Sequence, residues 1–80
     1  MPLEDCLAWI AETVESFDKR LHCRIDETNC QIIVSADNRP DDEIALLIFY
    51  YQLKVRKGRF NNEDMAYIVK DALDFVNRAA

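Results

Sequence analysis

The chain reads as three kinds of hydrophobic pattern laid end to end. Leu3, Leu7, Ile10, Val14 and Phe17 recur at steps of four, three, four and three, the spacing of one face of an α-helix. Pro2 suits the first turn, and Glu4 and Asp5 face the favourable end of the helix dipole. The helix is predicted to run to about Lys19. Trp9 lies off the main stripe, beside Cys6 and Thr13, where it either flanks the core or makes contacts outside it.

At Leu21 the period changes to two. Leu21, Cys23 and Ile25 alternate with His22, Arg24 and Asp26, and after Glu27-Thr28-Asn29 the alternation resumes with Cys30, Ile32, Val34 and Ala36. Two such runs around a polar connector predict an antiparallel hairpin. Pairing Ile25 with Cys30, Cys23 with Ile32 and Leu21 with Val34 keeps the apolar side chains on one face. A slip of one residue would break that agreement, so the parity of the register is specified.

The third pattern is the most apolar. Asp37-Asn38-Arg39-Pro40 reads as a turn or loop, and Pro40-Asp41-Asp42-Glu43 as a helix start. Ile44 to Val55 then runs IALLIFYYQLKV. At helical spacing Ile44, Leu47, Ile48, Tyr51 and Val55 share one face, with Leu46, Phe49, Tyr50 and Leu53 opposite. The expectation is a central helix over 41–57, apolar on nearly all sides and stopped by Gly58. Asn61-Asn62-Glu63-Asp64 starts a last helix, whose stripe is Met65, Ile68, Val69, Ala72, Leu73 and Val76. The expected fold is α+β in the order α-β-β-α-α, a two-stranded hairpin packed on three helices in one small domain over 1–80.

Composition narrows the function. Half of the 80 residues are hydrophobic, and there are one Gly and two Pro, which is a globular balance. The net charge of −5 argues against general nucleic-acid or anionic-membrane binding. The charge is uneven: residues 1–20 carry five acids and two bases, whereas Lys54, Arg56, Lys57 and Arg59 form a basic cluster free of acids. Those four either cap a helix dipole or make a patch for an anion or an acidic partner. The acidic N-terminus lacks the apolar core of a signal peptide, and charge at Lys54 interrupts the longest apolar run. The expected setting is therefore the reducing cytoplasm, with no membrane partner.

Catalytic chemistry finds little support. The single histidine, His22, sits on the polar side of a predicted strand, and Gly58, the only glycine, leaves no phosphate-binding loop. Cys6, Cys23 and Cys30 lack paired metal-ligand spacing and read as small core residues, so no cofactor or metal is expected.

What stands out is the surplus of apolar surface on the central helix. A chain this short has little material to cover both faces, so one face belongs either to the core or to an interface. Trp9, Leu46, Phe49, Tyr50 and Leu53 are the expected contact residues of a non-catalytic interaction module: a regulator, inhibitor, immunity protein or adaptor, expected as a homodimer. The alternative of another class is nucleic-acid binding through the cluster at 54–59. Small size, acidity, an early strand pair, the apolar segment after Arg39-Pro40-Asp41-Asp42 and the amphipathic last helix also resemble type III secretion chaperones. That resemblance spans Leu7 to Val76 and implies a small acidic chaperone, although the later strands of such chaperones are missing between Gly58 and Asn62.

Overall fold

The computed structural model describes residues 2–78. Its elements are helix α1 (Leu3–Phe17), strands β1 (Leu21–Asp26), β2 (Gln31–Ala36) and β3 (Arg39–Leu47), a 3₁₀ turn (Ile48–Tyr51), the short helix α2 (Gln52–Arg56) and helix α3 (Asn62–Asn77). The class is α+β, with an antiparallel sheet in the order β1-β2-β3. Two expectations are corrected: the sheet has three strands rather than two, and the central helix over 41–57 does not form.

The reason lies in a change of period inside the apolar run. Ile44, Leu46 and Ile48 alternate inward, and only after Ile48 does the inward set, Ile48, Tyr51 and Val55, take helical spacing. Ile44 and Ile48 are four apart, which satisfies both a two-residue and a 3.6-residue repeat. Leu46 and Leu47 break the tie. A helix places Leu47 on the core face; the strand places Leu46 there, 5% exposed, and leaves Leu47 45% exposed. Isoleucine also suits a pleated surface. The acidic stretch Pro40-Asp41-Asp42-Glu43 lies on β3 beside an irregularity in its pairing with β2, at Ser35/Ala36. Proline and carboxylates on an edge strand discourage pairing with another chain.

The hairpin keeps the expected parity but pairs two residues further along. Leu21 opposes Ala36, Cys23 opposes Val34 and Ile25 opposes Ile32. Cys30 leaves the strand and closes a turn, its N–H donating to the Glu27 carbonyl at 3.2 Å and its φ at +48°. That left-handed conformation is uncommon for a residue with a Cβ. Cys30 is nevertheless buried, and its carbonyl accepts the N–H of Ile48 at 3.0 Å, linking the turn to the end of β3.

One face of the sheet packs on the helices. Ile32, Val34 and Ala36 of β2 meet Leu7, Ile10 and Val14 of α1 and Ile68, Ala72, Phe75 and Val76 of α3 in a common core. The other face carries His22, Arg24 and Asp26 beside Ser35, Ile33 and Gln31, an ordinary solvated face of an antiparallel sheet. Phe17, read as the end of the core stripe of α1, is 59% exposed. Trp9 meets Phe60 just ahead of α3, and Arg20 Nη2 donates to Asn77 Oδ1 at 3.0 Å near its end. Helices α1 and α3 therefore run side by side in the same direction.

Both ends of α3 are held by side chains. Asn61 and Asp64 form a reciprocal capping box, with Asp64 N–H donating to Asn61 Oδ1 at 3.0 Å and Asn61 N–H to Asp64 Oδ2 at 3.2 Å. At the far end the β2–β3 turn supplies the partners. Asn38 Nδ2 donates to the Val76 carbonyl at 2.9 Å, and Arg39 Nη1 to those of Phe75 and Arg78 at 3.1 and 3.2 Å. The Arg39 guanidinium also lies over the Phe75 ring, 5.1 Å from its centre. Sequence periodicity held no sign of this cap, because its donors lie some 40 residues upstream of the carbonyls they satisfy.

Candidate functional site

The turn from β3 into α2 builds the most exposed apolar cluster of the molecule. Ile48 and Tyr51 point inward, as does Val55, and this orientation forces Phe49, Tyr50 and Leu53 outward. Their exposures are 63%, 74% and 63%. The rings of Phe49 and Tyr50 meet edge to face at 6.1 Å, and Leu53 follows one helical turn later. Leu47 precedes them, so one short stretch of chain presents an aliphatic residue, two aromatics and a second aliphatic to solvent.

Gly58 ends this segment. At φ +66° it takes the left-handed conformation of a helix stop, and Gly58 N–H and Arg59 N–H donate back to Val55 and Lys54 carbonyls at 3.1 and 2.7 Å. From there the chain passes directly into α3, with no strand between Gly58 and Asn62.

The five expected contact residues do not share one surface. Phe49, Tyr50 and Leu53 stay together. Leu46 is removed from them: it belongs to the core, beneath the sheet, and the reason is the strand geometry that points it inward. Trp9 sits elsewhere, 42% exposed on α1, its ring against Phe60 at 5.9 Å; Phe60 in turn meets Tyr51 at 5.7 Å.

The basic cluster also divides. Lys54 Nζ donates to Asp64 Oδ1 at 2.9 Å and so ties α2 to the first turn of α3. That hydrogen bond raises the lysine pKa, and it lowers that of Asp64 together with the Asn61 backbone N–H. Arg56, Lys57 and Arg59 are exposed and make no ion pair among the described residues. They stand immediately after the apolar cluster and give it a positive border on an otherwise acidic chain.

The other chemistry-bearing side chains are accounted for locally. His22 Nε2 lies 2.7 Å from Asp37 Oδ1, both well exposed on the open side of the sheet. Cys6 and Cys30 are buried and Cys23 half-buried, and burial raises the pKa of all three thiols, that of Cys23 to about 12. Among the described residues no three His, Cys, Asp or Glu side chains gather as a metal would need, and no helix is long and apolar enough to cross a membrane.

A second apolar feature, the groove between α1 and α3, has little local signature in the sequence. Trp9, Thr13 and Phe17 form one wall and Met65, Ala66, Val69 and Leu73 the other, enclosing about 620 Å³. Its only sequence signal is the secondary stripe of Cys6, Trp9 and Thr13. No known family, curated protein or solved structure matches the chain.

Proposed function

We propose that this chain is a non-catalytic protein–protein interaction module that binds through Phe49, Tyr50 and Leu53. The observation that carries this reading is the exposure of these three large apolar side chains side by side on one short, well-terminated segment. Aromatic residues dominate the energetic centres of interfaces because they bury a large area at small conformational cost. Arg56, Lys57 and Arg59 form the polar border expected around such a centre, and they favour an acidic surface on the partner. A small regulator, inhibitor, immunity protein or adaptor of the cytoplasm fits this description, and a second copy of the chain is one eligible partner.

The test is Leu53→Asp, followed by light scattering over a range of concentrations and by capture of partners from native extract. The substitution keeps the fold and abolishes self-association or partner capture. Retained association with an intact fold would refute the role of this patch.

The same three exposed cations favour a second reading, nucleic-acid binding through the cluster at 54–59. It predicts binding of single- or double-stranded nucleic acid that weakens steeply with salt and is lost in Arg56→Glu. Absence of binding at low salt removes it.

A further inference from the structure

We infer that the groove between α1 and α3 is a docking site for an amphipathic, basic helix of another protein, separate from the Phe49–Leu53 patch. The walls are apolar and open to solvent: Trp9 is 42% exposed and Phe17 59%. From Cys6, which borders a smaller hollow beside Trp9, to Phe17 the stripe on α1 spans 11 residues, or about 17 Å at the helical rise per residue. On both walls the lining residues recur four apart, Trp9, Thr13 and Phe17 on one side and Val69 and Leu73 on the other. Two parallel helices with such rows present the ridges between which a third helix seats.

Backbone chemistry decides between a helix and an extended strand. Both walls are helices whose N–H and C=O groups are bonded internally, so the groove offers nothing for a strand to pair with. A helix satisfies its own backbone and needs only apolar side chains at i, i+3 or i+4, and i+7.

The rims select the charge. Asp5 and Glu12 follow the outer side of the α1 stripe and Glu63 the first turn of α3, all exposed and without an ion pair among the described residues. Lys70, the one cation lining the groove among the described residues, is engaged by Asp74 at 2.8 Å, and Lys54, near Glu63, by Asp64 at 2.9 Å. The acidic surplus attracts Lys or Arg flanking the apolar stripe of the incoming helix. A second copy of this chain does not meet the requirement. Its own long helices already commit their apolar stripes to the core, α2 has only five residues, and its net charge of −5 opposes a groove of the same sign.

Trp9 is the only tryptophan of the chain and lies in the groove, so its fluorescence reports occupancy directly. The probe is a synthetic helix of about 18 residues, ~27 Å long. It carries Leu at i, i+3/i+4 and i+7, Lys and Arg on the flanks and no aromatic residue, and is compared with a scrambled peptide of identical composition. The ordered peptide shifts Trp9 emission to the blue with saturable binding, and the scrambled one does not. Ala66→Arg, at an exposed position on α3, fills the groove and weakens binding about tenfold or more. The double change Glu12→Lys with Glu63→Lys weakens it severalfold and serves as the deciding variant should Ala66→Arg fail to fold. Leu53→Asp leaves the titration unchanged, which keeps this site distinguishable from the Phe49–Leu53 patch. Equal binding of the scrambled peptide, undiminished binding by both groove variants, or Trp9 emission that varies with the protein's own concentration would each overturn the proposal.

Discussion

Leu46 and Leu53 form a controlled comparison, because they are chemically identical and seven residues apart. Seven residues are two helical turns, so a continuous helix would hold both on one face and make them respond alike to truncation. In the fold they part. Leu46 is 5% exposed on the core side of β3, opposite Ile32, whereas Leu53 is 63% exposed on α2. Truncating a buried leucine to alanine removes its transfer free energy and leaves a cavity, a loss of about 2–5 kcal/mol. A fully buried leucine contributes about 1.5–3 kcal/mol of transfer free energy; with most of its surface in water, Leu53 has at most about 1 kcal/mol to lose. A domain of this size has roughly 4–12 kcal/mol of total stability, so Leu46→Ala consumes a large share of it and Leu53→Ala little. Each kcal/mol corresponds to about 4–8 °C in Tm at this length. Urea unfolding followed by circular dichroism reads both variants: Leu46→Ala lowers the midpoint sharply or prevents folding, and Leu53→Ala stays within about 1 kcal/mol of the parent. Equal losses at the two positions would refute the strand assignment of Arg39–Leu47 and restore the helix.

Four further outcomes follow from the caps and the titrating groups. Arg39→Lys keeps the charge but loses the planar fork over Phe75 and one of its two carbonyl contacts, so it destabilises by about 1–2 kcal/mol in the same urea assay. Asn61→Ala removes the side-chain half of the α3 capping box at about 1 kcal/mol, with hydrogen exchange in the first turn of α3 quickening more than in the sheet. Stability also depends on pH at both extremes. Burial and the nearby charge of Glu15 hold the Cys23 thiol up to about 12, while an unfolded thiol titrates at about 8.5. The folded state therefore retains a proton that the unfolded state gives up, and stability falls as pH rises through that window; Cys23→Ala flattens the alkaline slope. Hydrogen bonds from the Arg20 side chain and backbone hold Asp18 at about 2, so its contribution is present above about pH 4 and is lost as pH falls toward 2. Asp18→Asn removes that acid-side dependence.

Local pattern determined the elements on either side of the Ile44–Val55 run, apart from Phe17, which is exposed, and Phe75, which joins the buried face of α3 while Leu73 is only half-buried. The stripes of α1 and α3, the alternation of β1 and β2, the Gly58 stop and the Asn61 start each rest on interactions within a few residues, where spacing and capping chemistry act directly. The parity of the β1–β2 register was legible for the same reason: one face had to be apolar. Its offset was not, because the turn admits Cys30 in a left-handed conformation that its side chain disfavours and that burial and the Ile48 contact maintain. The central apolar run was decided by tertiary structure. In Ile44–Val55 almost every position is apolar, so strand and helix bury similar amounts and the pattern has little power to choose. What chose was the unpaired edge of β2, whose backbone groups β3 satisfies along the run from Glu43 to Leu47. That choice sent Leu46 to the core, left Phe49, Tyr50 and Leu53 in solvent, and drew the β2–β3 turn under the end of α3. The candidate patch was thus visible in the sequence as an excess of apolar surface. Which residues carry it depended on long-range strand pairing, and the α1/α3 groove on two helices meeting from opposite ends of the chain.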